Sequence, residues 1–407
     1  MSNSRTAWII YLSVASGFVA MYVPQAILPE LAEVFGVSPA RASLSISSLI
    51  VSLAFASLVI GPLSDAIGRK PVLVACAFML SLPAFFAAAS PNMNFLIAIR
   101  LIQGMFLPGV TAVSVAYIAE EFPVEQVKPV LGGYIAATVA GRLLSRVLSG
   151  SVTYLFGWRS AFVVSGLILV VIAFLLQRYL PASKYFESHD NGAAAFRGLL
   201  IHGRTPHMLG AFVAGFSLFF AFIAVFTYLP FYLEQPPFYF TPLAVGLIYF
   251  VYIAGVVSSP ISGTLAQVFG SSRVMLIGLV IALFANIATV IPSAFTLVVA
   301  LLVLCFGNFA AQSSATSFVA TMAESHKGSA TALYLFAYYI GGSLGAFVPG
   351  LAWQKLEWFG VLLFSTAALL IAMLAVRKLC LPVNEINKER VEDGDDPLEH
   401  HIYGDGA

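Results

Sequence analysis

Three arginines stand where arginine is costly. Arg100, Arg142 and Arg146 fall inside long apolar runs, and a guanidinium near the centre of a bilayer costs between about 2.5 and over 10 kcal/mol. A side chain at that depth must face a polar interior, water or a partner. The guanidinium is a planar fork of N–H donors that grips carboxylate or phosphate oxygens bidentately, so the chemistry on offer is anion recognition. No carboxylate accompanies these arginines. Glu30 and Glu33 close the first apolar run, Glu234 closes the seventh, Glu120 and Glu121 close the fourth, and the other acids fall in loops or in the tail.

Helical spacing aligns further polar groups with the arginines. Tyr134, Thr138, Arg142, Ser145, Arg146 and Ser149 recur at three- and four-residue intervals, and Arg100, Gln103, Gly104, Thr111 and Ser114 do the same. Asn308 and Gln312 are one turn apart, as are Tyr334 and Tyr338. The seventh run is crowded with aromatics, of which Phe216, Phe219 and Phe220 with Ile223 are candidates for an apolar pocket wall; those near its end fit an interfacial belt. Each polar group also has a plainer use. Arg146 can reach out to the interface, Arg100 can bond backbone carbonyls, and Asn308 and Gln312 can tie helices together.

Other chemistries lack their residues. Cys76, Cys305 and Cys380 lie in or beside apolar runs with no metal-ligand spacing, so neither a metal nor a cofactor is expected. Gly341-Gly-Ser-Leu-Gly345 imitates a nucleophile elbow but lies inside an apolar helix with no strand before it. His202 and His207 read as solvated loop histidines. No phosphate-binding loop is present, and no basic cluster suits nucleic acid. An enzyme is not expected.

The elements that hold these residues are membrane helices. Of 407 residues, 60% are hydrophobic and only 10% are charged, too few charges for a water-soluble surface. A bilayer crossing needs about 20 apolar residues. Twelve continuous runs meet that length, near 8–28, 42–62, 71–89, 94–117, 130–150, 159–178, 207–231, 242–264, 273–291, 294–320, 329–351 and 358–376. The fold class expected is all-α and polytopic, with twelve transmembrane helices. Of the 20 Lys and Arg, fourteen fall on the side of the termini and only Arg41, Arg159 and Lys355 on the other; the positive-inside rule therefore places both termini in the cytoplasm.

The long polar stretch 179–206 divides six runs from six and reads as a cytoplasmic linker between an N-terminal half, 1–178, and a C-terminal half, 207–381. Residues 382–407 form an acid-rich tail expected to be disordered. Gly61-Pro-Leu-Ser-Asp-Ala-Ile-Gly-Arg-Lys after the second run is echoed by Gly263-Thr-Leu-Ala-Gln-Val-Phe-Gly-Ser-Ser-Arg after the eighth. A repeat of six helices about an axis normal to the membrane is a transporter architecture.

Gly61, Leu63, Asp65, Gly68, Arg69 and Lys70 resemble the loop between helices 2 and 3 of the major facilitator superfamily. Arg100-Leu-Ile-Gln103-Gly104 resembles that family's helix 4 signature, and Gly157-Trp-Arg159 its entry to helix 6. The resemblance covers nearly the whole chain apart from the tail. It implies two six-helix halves around a central cavity, alternating access, and a conformational switch in which Asp65 docks on the start of helix 11 near Gly328-Ser329. Glycines 61 and 68 are expected to allow the turn between helices. Gln267, Ser271 and Ser272 replace Asp65, Arg69 and Lys70 in the second half, so the switch should be asymmetric. The run 130–150 lacks the Gly-Pro pair of drug–proton antiporters.

The function these readings imply is secondary transport of a small organic solute, with a preference for efflux of an amphiphilic organic anion. A proton-coupled drug or cation exporter and an uptake symporter for a sugar or organic acid stay open. The expected partners are the small-molecule substrate, the lipid bilayer of the inner membrane and, for coupling, protons carried by an end-of-helix acid such as Glu30 or Glu33, with the chain acting as a monomer.

Overall fold

The structure is a computed structural model that describes residues 3–183, 202–323 and 327–381. The acid-rich tail and most of the linker lie outside the described residues. Within them the chain is helical from end to end because backbone polar groups in a bilayer must be satisfied inside each segment. The helices are α1 (Asn3–Tyr22), α2 (Leu28–Val34), α3 (Pro39–Ile67), α4 (Arg69–Ala88), α5 (Met93–Glu121), α6 (Val124–Phe156) and α7 (Trp158–Tyr179). After the linker come α8 (Pro206–Leu233), α9 (Pro242–Ile248), α10 (Ile253–Phe269), α11 (Ser271–Ala288), α12 (Ala294–Met322) and α13 (Lys327–Ala375).

Among the described residues ten segments are long and apolar enough to cross a membrane, and two further crossings complete the expected twelve. One is α6, long enough but diluted by Arg142, Arg146 and its serines and threonines. The other comes from the segment Gly328–Cys380, whose 53 residues would span roughly 80 Å if straight, far beyond a bilayer core of about 30 Å. It turns at Glu357, where φ is 45° and ψ −129°, and so crosses twice. The protein is a multi-pass membrane protein.

Helix ends follow local chemistry. Ser38 and Asn92 cap α3 and α5 by accepting from the backbone N–H of Arg41 at 3.3 Å and Phe95 at 2.9 Å. Gly68 and Gly270 hold φ of 98° and 85° at the matching α3–α4 and α10–α11 turns, conformations that favour glycine. Gly61 does not take part in that turn: α3 continues past it, through Pro62, to Ile67. His202 is also not solvated. It is buried, because the chain coils from it into α8, with Thr205 N–H donating to the His202 carbonyl at 3.3 Å.

Within residues 3–183, α3 packs on α5, α4 on α5 and α7, and α1 on α6; within 202–381, α8 packs on α13, α11 on α12, and α10 on α12. The two groups meet where α3 lies along α13 and α9 against α6. Gly341 and Gly345 make the α8–α13 approach possible, since a Cβ at either would strike the backbone carbonyl of Phe216 or Phe220. That contact accounts for the apparent elbow motif.

Candidate functional site

The polar stripe of α6 runs from a cavity into a seal. Tyr134, Thr138 and Arg142 line a cavity of about 400 Å³ together with Phe18 of α1, Ser259 of α10, Phe309, Gln312 and Thr316 of α12, and Tyr338 and Tyr339 of α13. Tyr134 is held by its hydroxyl donating to the Thr111 carbonyl at 3.1 Å, and Thr138 donates to the Ile135 carbonyl at 2.8 Å. The cavity sits toward the end of the bundle that carries Asp65.

Arg142 forms part of the inner wall of this cavity. It is 8% exposed, its guanidinium lies 4.9 Å above the Phe18 ring, and its buried Nε has no partner. Across the cavity the Oε1 of Gln312 is likewise buried and unpartnered. Among the described residues no Asp or Glu is buried. A buried N–H without an acceptor loses the full value of its hydration, and Arg142 carries this one at the wall of the cavity.

One turn deeper, Arg146 is fully enclosed and fully used. Its Nε donates to Gln25 Oε1 at 2.7 Å, a second nitrogen donates to the same oxygen, and the third donates to the Arg142 carbonyl at 2.5 Å. The rings of Tyr22, Tyr249 and Tyr252 stand 4.1, 4.8 and 4.7 Å from its Cζ. It neither lines the cavity nor reaches an interface. Gln25, which the sequence reading passed over, completes the arrangement by donating to Thr227 of α8 at 3.0 Å.

Arg100 is placed among backbone. It donates to the carbonyls of Ser45 at 3.0 Å and Ala20 at 2.8 Å, to that of Met21, and to Gln103 Oε1 at 2.5 Å, while Gln103 donates to the Leu80 carbonyl at 3.1 Å. The pair knits α1, α3, α4 and α5 and does not line the cavity, because these carbonyls leave it nothing to offer a solute. Asn308 and Tyr334 are buried outside the lining. Phe216 and Phe220 face elsewhere: with Phe212, Phe364 and Ile371 they line an apolar groove between α8 and α13. Helix α8 is apolar all round, so its face toward the cavity could not be read from period alone. Its contribution there is indirect, through Phe219 stacked 4.0 Å from Tyr338 and Phe222 packed on Tyr252 and Phe309.

The motif at the α3–α4 turn forms an ion cluster. Arg69 pairs with Asp65 on one side and donates to Glu120 at 2.6 Å on the other, with Ser64 Oγ at 2.6 Å. Asp65 is thus engaged by Arg69. Lys70 follows on the first turn of α4. At the matching α10–α11 turn Gln267 is exposed and Ser272 donates to the Cys380 carbonyl at 3.1 Å. The Arg69–Glu120 link ties α4 to α5 and was not visible as a sequence motif.

At the opposite end, the Gln25 end, the two groups of helices close on each other. Ser47 meets Ser343 at 2.8 Å, Tyr228 donates to Ser43 at 3.1 Å and to the Ala346 carbonyl at 2.8 Å, and Gly246 and Gly150 let α9 and α6 touch backbone to backbone. Beside this contact Glu30, Glu33 and Glu234 line one pocket. Partial burial, then repulsion from Glu30 and Glu33, pushes the Glu234 carboxyl up to about 7.

Comparison with known proteins decides the family. The family model described as Major Facilitator Superfamily matches residues 10–256 and 235–400. The chain belongs to the major facilitator superfamily. It is 32% identical over 363 residues to the inner membrane transport protein YnfM of Escherichia coli (strain K12), covering 89% of this chain and 87% of that one. It is 31% identical over 371 residues to a transporter of Buchnera aphidicola subsp. Schizaphis graminum, covering 91% and 90%. Two solved structures share the fold. A bacterial homologue of the human lysosomal transporter Spinster, inward-facing and unoccupied, gives a TM-score of 0.78 at 15% identity over 93% of this chain and 98% of that one. The nucleoside transporter NupG (D323A mutant) gives 0.74 at 16% identity over 91% and 99%. This superfamily member is a membrane transporter.

Proposed function

We propose that the protein is a secondary transporter of the inner membrane, with both termini in the cytoplasm, that exports a small amphiphilic organic anion by alternating access. The observation that carries the substrate class is Arg142: a buried arginine in the cavity wall whose Nε has no partner, among described residues that include no buried acid. In such a site an anion gains a charge-assisted hydrogen bond, whereas a cation meets repulsion with nothing to offset it. Phe18, Phe309, Tyr338 and Tyr339 suit the apolar part of the same molecule.

The remaining parts of the reading rest on separate supports. A cavity at one end and a seal at the other fit one state of an alternating-access cycle, in which residues 1–178 rock against 207–381. The orientation rests on the fourteen basic residues on the side of the termini, and the inner membrane on the name of the Escherichia coli relative. Proton coupling, through Glu30, Glu33 or Glu234, is supported by their grouping in one pocket beside the seal. Purified protein in liposomes, loaded with labelled amphiphilic carboxylates or matched amines, tests this reading with and without a pH gradient. Saturable, gradient-stimulated movement of the carboxylates is expected. Movement of the amines alone contradicts it.

A further inference from the structure

We propose that Arg146 is the clasp of the seal: a cation held between the two groups of helices by aromatic rings and one amide, whose release is required to open the Gln25 end. The groups around it come from both sides. Tyr22 ends α1 and Gln25 follows it, and Arg146 itself is on α6; Thr227 is on α8, and Tyr249 and Tyr252 bound the short 3-10 turn between α9 and α10. That turn interrupts an otherwise continuous crossing and sets both tyrosine rings against the guanidinium. The Tyr249 hydroxyl is fixed by donating to the Phe226 carbonyl at 2.8 Å, while the Tyr252 hydroxyl is buried with no partner, so its contribution to the clasp is its ring.

The physical argument turns on what Arg146 keeps when the groups separate. The Arg142 carbonyl, Gln25 and Tyr22 travel with it. The Tyr249 and Tyr252 rings and the Gln25–Thr227 bond do not. A desolvated cation–π contact is worth more than an exposed one, and the closed state surrounds the charge with three rings and no carboxylate. Parting therefore trades two rings for water, a balance close enough to be tipped by events at the cavity. The link to the cavity is direct, because Arg146 donates to the carbonyl of Arg142 at 2.5 Å, and Arg142 lines the solute's space. Arg146 is on this account a positioning residue. The proposal holds whatever the sign of the solute.

Distances between spin labels read the clasp without reference to transport. In a background with buried Cys76, Cys305 and Cys380 replaced by alanine, one label pair goes on exposed Phe156 and Ala294 at the Gln25 end, and a second on exposed Glu125 and Gln267 at the Asp65 end. The double variant Tyr252→Leu with Thr227→Val removes a ring and the amide's acceptor while keeping bulk. It should raise the population with a lengthened 156–294 distance about tenfold, with a matching shortening of 125–267. Tyr252→Phe with Thr227→Ser keeps ring and hydroxyl and should restore the wild-type distributions. Unchanged distances in the first variant overturn the clasp. So does lengthening at both ends with a lowered melting temperature, which is the signature of a loosened fold rather than a released gate.

Discussion

At the scale of residues, three arginines of one type hold three different positions, and what separates them is how many acceptors each has. Arg100 is saturated by carbonyls, Arg146 by an amide and a ring cage, and Arg142 is left with a free Nε at the cavity wall. Replacing Arg100 by leucine strands the carbonyls of Ala20 and Met21 in the last turn of α1, each at a cost of about 1–3 kcal/mol. The expected outcome is a fall in melting temperature, with solute affinity retained by whatever folds. A titration showing the reverse pattern contradicts that assignment. The sequence brought all three into apolar helices by spacing alone. It could not rank them, because the acceptors that satisfy Arg100 and Arg146 are backbone atoms and a glutamine of α1's far turn, which no side-chain pattern reveals. Tyr134, Thr138, Gln312 and Tyr338 were legible for the opposite reason: each lies on the one polar face of its helix.

At the scale of elements, the two related turns differ in charge and should differ in consequence. The α3–α4 turn carries Asp65, Arg69 and, across the gap to α5, Glu120, whereas the α10–α11 turn has Gln267 and Ser272. Asp65→Asn leaves Arg69 with one acid. Initial transport rates at equal reconstituted protein should fall severalfold for Asp65→Asn and for Glu120→Gln, and change little for Gln267→Ala. Equal losses at Asp65 and Gln267 contradict an asymmetric switch. The repeated sequence made both turns visible, and Gly68 and Gly270 confirm that they are geometric equivalents. Glu120 was hidden because its partner is 51 residues away, and Phe216 and Phe220 were misplaced because a helix apolar on every side has no face to read.

At the scale of the whole molecule, the closed end carries its own pH dependence. Glu234 is pushed up to about 7 by partial burial and by Glu30 and Glu33, above the ordinary value of 4.5. In the window between these values the folded protein holds a proton that the unfolded chain has released, so its stability falls as pH rises through it. Thermal melts should therefore show higher stability at pH 5 than at pH 7.5, and Glu234→Gln should flatten that slope. Identical slopes in the two proteins contradict the assignment. The twelve crossings and the lack of acid within them were readable from composition and spacing, since a bilayer dictates them, whereas the cavity between the halves was what the family resemblance implied. Which face seals and which admits the solute depends on contacts such as Gln25–Thr227, 202 residues apart, and only the folded chain shows these.

The central claim is that Arg142 selects an anion. Its most direct test is equilibrium binding of matched amphiphilic carboxylates and amines, equal in apolar bulk, to purified wild-type, Arg142→Lys and Arg142→Ala proteins. The carboxylates should bind the wild type, weaken about tenfold or more in Arg142→Ala and fall between the two in Arg142→Lys, which keeps the charge but loses the planar fork. Tight binding of the amines that persists or improves in Arg142→Ala would contradict the account.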